Sequence, residues 1–418
     1  MSIGYACLTV GVPNTAMKSC RIQNASEEKL HELIAYNLNS LENIIDYNIQ
    51  NNIKLFRISS DIIPFGSSSA NTLAWWEVFS LELSRIASKI QENHRRVSMH
   101  PGQYTVLNSP KEDVVQRAIE DLNYHTRLLR HLGGTAENKI ILHIGGVYGD
   151  KTQAMERFAT GYNQLDEVVK QHLVIENDDR SYTIRDVLEI GETLNIPVVF
   201  DNLHHAINQC EEQQDDLYWI NRCKQTWQPQ DGRQKIHYSQ QDPEKQLGGH
   251  SKTTGITDFM AYYKLVNGHE IDIMLEVKDK NLSAVKAINC TTGDRKINKL
   301  EKEWGKYKYT ILENSPASYA TICKLLKDKS HYPATEFYNL VEDAMEQPYT
   351  IGNALNGALH VWGYFKQIAL EKEKAKFLET IEMFKQGEVP ISKIKNMLWK
   401  LAVKYDEPYL LDSYYFVL

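Results

Sequence analysis

The 418-residue chain is 42% hydrophobic and 24% charged, an ordinary globular balance, and it is long enough for one large domain plus a smaller one. No apolar run approaches the roughly 20 residues needed to span a bilayer. The net charge of -7 argues against broad, nonspecific attraction to nucleic acid, but it does not exclude a nuclease, whose acidic ligands would be offset by bound cations.

The opening Met1-Ser-Ile-Gly-Tyr lacks the basic segment of a signal peptide and reads as a first strand. The six cysteines, Cys7, Cys20, Cys210, Cys223, Cys290 and Cys323, form no CxxC pair and read as reduced, buried thiols of a cytoplasmic protein. Residues 291–418 carry 18 Lys+Arg against 17 Asp+Glu, so the acidic excess lies before them.

From the N-terminus, short apolar runs alternate with amphipathic helical patterns. Gly4–Val10 is the first strand, followed by a helix from about Ser26 to Asn51. Lys54–Ser60 and Arg96–His100 are the second and third strands, with helices from Trp75 to Asn93 and from Glu112 to Leu132. The latter stops at Gly133-Gly134, as helix C-termini commonly do. Lys139–His143 is the fourth strand, ending in a histidine and two glycines that let the backbone turn; its helix runs from Thr152 to His172. Leu173–Glu176 follows, then a helix whose Thr183 and Asp186 stand at capping spacing. Pro197–Asp201, Gln234–Ser239 and Ile271–Glu276 complete the strands, with helices at Asp215–Thr226, Thr257–Val266 and Leu282–Asn289.

Eight strand–helix alternations in residues 1–290 match the rhythm of a TIM (β/α)8 barrel. An open doubly wound sheet is the alternative, weakened by the absence of a glycine-rich nucleotide fingerprint, so no nucleotide cofactor is expected. Residues 291–303 turn polar and read as a linker. Residues 304–418 show helical periodicity throughout, an all-α domain with helices at Pro316–Asp328, Glu336–Met345, Gly352–Gln386 and Ser392–Tyr405.

In a barrel of this kind the C-terminal strand ends carry the chemistry. Strand 3 delivers His100, strand 4 His143, strand 5 Glu176, and strand 6 Asp201 with His204. Strand 7 delivers His237 and strand 8 Glu276, with His250 in the loop after strand 7. One histidine after a strand is more often a hydrogen-bonded loop residue. Ligand-type residues at six consecutive strand ends point instead to a metal cluster of imidazole and carboxylate donors, suited to Zn, Mn or Fe. Two further residues bear on chemistry. Lys235 would share a barrel face with His237, as a phosphate contact, a salt bridge or a carbamylated anionic ligand. Gln103-Tyr104, after strand 3, has the profile of a wedge that fills the gap left by extruded bases.

Ser98-Met-His-Pro-Gly-Gln-Tyr104, Leu142-His-Ile-Gly-Gly146, Ile175-Glu-Asn-Asp178, Phe200-Asp-Asn-Leu-His-His205, Lys235-Ile-His-Tyr-Ser-Gln240 and Leu275-Glu-Val-Lys278 resemble, in order, the motif series of the UV-damage endonucleases. The resemblance covers about residues 1–290. It implies a TIM barrel, a cluster of two or three divalent cations (manganese first, zinc or magnesium as alternatives), and incision of damaged double-stranded DNA 5′ to a UV photoproduct. It assigns metal ligation to His100, His143, Glu176, Asp201, His204, His237, His250 and Glu276. Glu176 and Lys235 become catalytic, and Gln103, Tyr104 and Tyr5 become lesion probes. One position departs from the family pattern: Ser68 stands where a histidine ligand is usual, which leaves one cation with fewer protein donors.

Lys308–Pro316, His360–Lys366 and Gly387–Ile391 resemble a small helical domain of unknown function, in which Trp362, Tyr364 and Phe365 read as packing core. A DNA clamp or a docking site for a protein partner are its two readings. Two enzymes compete with the main reading: an apurinic endonuclease with the same ligand kit, and a metal-dependent sugar isomerase. A barrel serving only as a scaffold is disfavoured by the number of intact ligands.

Overall fold

The computed structural model describes residues 1–418. Eight short parallel strands close into a barrel in chain order: β1 (Ile3–Ala6), β2 (Leu55–Ile58), β3 (Arg96–Met99), β4 (Ile140–His143), β5 (Leu173–Glu176), β6 (Val198–Asp201), β7 (Lys235–Tyr238) and β8 (Asp272–Leu275). β1 pairs with both β2 and β8, which closes the ring. Nearly every strand residue is buried, because helices cover the outside and side chains fill the inside. The expected (β/α)8 architecture is what the chain forms.

The helices begin with α1 (Glu27–Gln50), α2 (Trp75–Val78), α3 (Ser80–Glu92) and α4 (Glu112–His131). They continue with α5 (Lys151–Asn163), α6 (Glu167–His172), α7 (Ile184–Leu194), α8 (Asn202–Ile207) and α9 (Asp216–Lys224), then α10 (Ile256–Val266) and α11 (Asn281–Thr291). Two expected single helices are broken, into α2 and α3 at Phe79, and into α5 and α6 between Asn163 and Glu167. α7 starts as its sequence predicts: Thr183 accepts from the backbone of Asp186, whose carboxylate takes the Thr183 N–H in return.

A second compact unit is built mainly from residues 289–418. It contains α12 (Ile297–Asn314), α13 (Pro316–Leu325), α14 (Ala334–Glu346), α15 (Ile351–Trp362), α16 (Glu371–Lys385), α17 (Ile391–Lys404) and α18 (Pro408–Leu411). The linker expected over 291–303 is corrected here: from Ile297 onward it is helix. Leu300 and Glu303 are buried, and Glu303 pairs with Lys306 at 3.0 Å, so the charge run is mostly the outer face of a packed helix. The helix expected over Gly352–Gln386 stops at Trp362 and restarts at Glu371. Trp362 and Phe365 lie in the core of this unit, with the Trp362 ring stacked on Phe377 at 4.1 Å. No helix is long and apolar enough to cross a membrane.

Candidate metal centre

Register brings the first ligands together. His143 on β4 stands beside Glu176 on β5, and Asp201 on β6 beside His237 on β7. Side chains alternate faces along a strand and paired residues share a face, so each of these residues near a strand end projects into the barrel mouth on the same side as its neighbour.

Glu176 sits at the middle. Its Oε1 lies 2.5 Å from His237 Nδ1, while its Oε2 lies 3.5 Å from His100 Nε2 and 3.6 Å from His143 Nε2. Two triads capable of holding a cation therefore share this carboxylate: His100, His143 and Glu176, and Glu176, Asp201 and His237. The remaining expected ligands adjoin them. Glu276 Oε1 is 3.3 Å from His237 Nδ1, His250 Nδ1 is 3.9 Å from Glu276 Oε2, and His204 Nδ1 is 3.9 Å from Asp201 Oδ1. All eight residues form one connected set.

The donor chemistry fits a metal. Glu176 Oε2, Asp201 Oδ2, His143 Nδ1 and His237 Nε2 are buried without a hydrogen-bond partner. Buried polar atoms left unpaired cost about 1–3 kcal/mol each, so several at one point mark a place where another group completes them. Electrostatics agree. Burial alone would raise the Glu176 carboxyl, yet the His237 imidazole hydrogen-bonded to it and the nearby His100 and His143 rings hold it well below the usual carboxylate range. Burial, reinforced by Glu176 and Glu276, pushes Asp201 up to about 6 against the pull of His204. Burial lowers His143 to about 4, which leaves its ring neutral and free to ligate.

Asn177 arranges this side of the mouth. Its Oδ1 accepts from the Asp201 N–H at 2.9 Å, its Nδ2 donates to the Asp201 carbonyl at 3.1 Å, and its own carbonyl lies 2.9 Å from His204 Nδ1. That contact fixes the His204 ring, the usual outer support of a ligating histidine. Sequence reasoning assigns Asn177 no role. It misses Arg57 on β2 as well, whose guanidinium donates to Glu276 Oε1. A charged residue inside a buried strand is the available signal.

The other expected site residues are placed as follows. Gln103 and Tyr104 lie exposed on the rim, with Tyr104 70% exposed and its ring folded over Gly102. Gln103 lines a cleft of about 420 Å³ together with His100, His143, Tyr148, Arg180 and His204. Gly145 bends the floor of this cleft at φ +111°, where a Cβ would fall 2.4 Å from Asn108 Oδ1. Lys235 is fully buried in the barrel interior; its Nζ has no hydrogen-bond partner, and burial, with Arg96 adding to it, holds its amine well below the ordinary range. Ser68 is exposed and caps its own turn by accepting from the Ala70 N–H.

Tyr5 requires a correction. It is completely buried, and its hydroxyl donates to Asn48 Oδ1 of α1 at 2.9 Å, so it faces the helical layer and not the mouth. The parity of β1, entered at Ile3, sends Gly4 and Ala6 inward and Tyr5 outward, and Ala6 packs with Leu55 and Met274.

Residues 1–308 match the family model described as UV-endonuclease UvdE, and residues 308–418 match one described as a protein of unknown function, DUF1722. A UV DNA damage endonuclease of Clostridium perfringens is 39% identical over 99% of both chains. One of Bacillus cereus is 33% identical over 66% of this chain and 86% of its own. The crystal structure of SacUVDE superposes with a TM-score of 0.66 at 38% identity, covering 69% of this chain and 97% of that one. With its barrel matched from the first residue to beyond the last strand, the chain belongs to the UV-endonuclease UvdE family.

Proposed function

We propose that this protein is a metal-dependent DNA repair endonuclease that cuts the phosphodiester backbone 5′ to UV photoproducts in double-stranded DNA. The observation that carries the reading is the shared carboxylate: Glu176 joins two triads at the open end of the barrel, beside a cleft lined by Gln103, with Tyr104 exposed next to it in the same loop. His100, His143, Glu176, Asp201, His204, His237, His250 and Glu276 are the proposed ligands of two or three divalent cations. Manganese is preferred on the family resemblance; zinc, which imidazole suits, and magnesium, which carboxylate suits, are the alternatives. Such cations supply Lewis-acid charge to a phosphodiester and lower the pKa of water.

The chain's own residues do the rest. Asn177 orients His204, Arg57 keeps a fixed positive charge beside Glu276, and Glu176 sets the spacing of the two triads. Tyr104 offers a stacking face and Gln103 an amide to the space vacated by a lesion, which leaves the duplex at lower cost where pairing is already broken. Lys235, whose amine burial holds well below the ordinary range and whose Nζ has no partner, suits carbamylation by carbon dioxide; a gain of one carboxylate in native intact-mass spectra tests this. Six free cysteines and a DNA substrate support a cytoplasmic location.

The test is incubation of the purified protein and manganese with a duplex carrying one thymine dimer. A single cut 5′ to the dimer is expected. Intact DNA would refute the proposal, and cutting only at abasic sites would reassign the protein as an apurinic endonuclease.

A further inference from the structure

We infer that the helical unit carries a second nucleic-acid contact: a lysine-lined groove between α16 and α17 that binds the phosphate backbone of duplex DNA. The groove has a volume of about 550 Å³. α17 supplies Lys393, Lys400 and Lys404 to it, and α16 supplies Lys376; all four are exposed.

Their placement is ordered. At 3.6 residues per turn, positions 393, 400 and 404 fall within about 40° of one another around the helix axis, a single stripe extending over roughly 16 Å. One strand of B-form DNA presents a negative charge about every 3.4 Å of axis, so this length faces several phosphates. α17 contains no Asp or Glu in its 14 residues, and its opposite side is anchored by Ile394 and Leu398 in the core.

The charges are also uncommitted. Lys404 pairs with Glu373 at 2.6 Å, but no carboxylate lies within ion-pair reach of Lys376, Lys393 or Lys400. Three of the four other lysines on these helices are spent: Lys374 on Glu371, Lys385 on Glu382 and Lys395 on Glu313. Ser392 and Asn396 line the same groove and offer neutral donors of the kind that contact phosphate oxygens. Like charges held together without acidic partners repel one another, and a polyanion relieves that repulsion. With 18 Lys+Arg against 17 Asp+Glu over 291–418, the groove is a local concentration and not a general basic character.

The choice of DNA over another polyanion rests on the endonuclease reading. Groove contacts would hold the enzyme on undamaged duplex without reading sequence, since phosphate contacts position and base contacts specify.

The experiment uses the full chain with Lys376, Lys393 and Lys400 all changed to Ser. A control carries Lys302→Ser, Lys324→Ser and Lys327→Ser, which removes the same charge from positions of the helical unit outside the groove. Binding of an undamaged 20-base-pair duplex is followed by fluorescence anisotropy from 50 to 200 mM salt, with thermal melting as a folding check. The groove variant is expected to flatten the slope of log affinity against log salt by about 2 to 3, near 0.9 per lost phosphate contact, while the control leaves it close to the parent. An unchanged slope in a folded groove variant, or an equal change in both variants, would overturn the inference. Unchanged DNA binding with lost binding to a polyglutamate peptide would overturn it in favour of an acidic protein partner. Because the duplex carries no lesion, this readout is separate from incision, whose failure would bear on the barrel alone.

Discussion

Glu176 and His237 approach to 2.5 Å across the barrel mouth, with β6 between their strands, and the second oxygen of Glu176 is left buried between His100 and His143. One carboxylate thus spans both halves of the candidate centre. Replacing it affects every ligand around it.

Glu176→Gln keeps the size of the side chain and removes its charge. We expect divalent-cation content after dialysis against chelator and reloading with manganese to fall by at least half. Incision should fall by more than the roughly 10–100-fold that losing a ligand's outer support costs. Elemental analysis beside a gel-based incision assay checks both. Full metal content in this variant would place the cations elsewhere.

Asn177 touches no expected substrate but holds the Asp201 backbone on both sides, and its carbonyl accepts from His204 Nδ1–H. Asn177→Ala should weaken manganese affinity by about 10–100-fold while leaving saturated activity within a few-fold of the parent. Calorimetric titration of the apo protein, followed by incision at high manganese, separates positioning from catalysis. Activity not recovered at saturating metal would contradict a positioning role.

Tyr104 is 70% exposed, so its removal should not affect folding. If it stacks in the space left by a lesion, Tyr104→Ala forfeits about 1–3 kcal/mol, or roughly 5–150-fold in kcat/KM on a dimer-containing duplex. Tyr104→Phe should keep most of it. The comparison uses steady-state incision at fixed manganese, and equal rates for Ala and Phe variants would remove Tyr104 from lesion recognition.

A stability prediction concerns Lys139, which is fully buried and donates to Asp231 Oδ1 at 2.6 Å and to the Gln171 carbonyl at 2.8 Å. Burial depresses the Lys139 amine, and Asp231 opposes that shift. Asp231→Ala leaves the ammonium uncompensated and should cost about 3–5 kcal/mol in denaturant unfolding at pH 7. The sign with pH follows from proton binding. The folded amine then binds its proton less well than the unfolded one, so the folded state gains stability as pH rises toward the unfolded value. The deficit should therefore shrink between about pH 7 and pH 10; a constant deficit would show that the loss is packing alone.

Much of the centre is legible in the sequence. Buried parallel strands read as short apolar runs, so a histidine, glutamate or aspartate at the ends of six of them stands out, and these six meet together with His204 and His250. The misreadings share a cause. Strands buried on both faces lack the alternation that tells inside from outside, so nothing local in Ile3-Gly4-Tyr5-Ala6 shows that Tyr5 packs under α1. Residues 291–303 resemble a linker because charged side chains dominate a window of that length. Only the burial of Leu300 and Glu303 shows that α12 has begun.

By itself, the sequence determined the strand–helix rhythm, the donor types and the strand ends that bear them, because these depend on local periodicity and side-chain chemistry. Tertiary structure alone decided the rest. Closure of β1 on β8 and the pairing of His143 with Glu176 and of Asp201 with His237 are relations between segments tens of residues apart or more. Register is a cooperative property of the whole barrel, so one carboxylate could emerge at the junction of two triads only when all eight strands had closed.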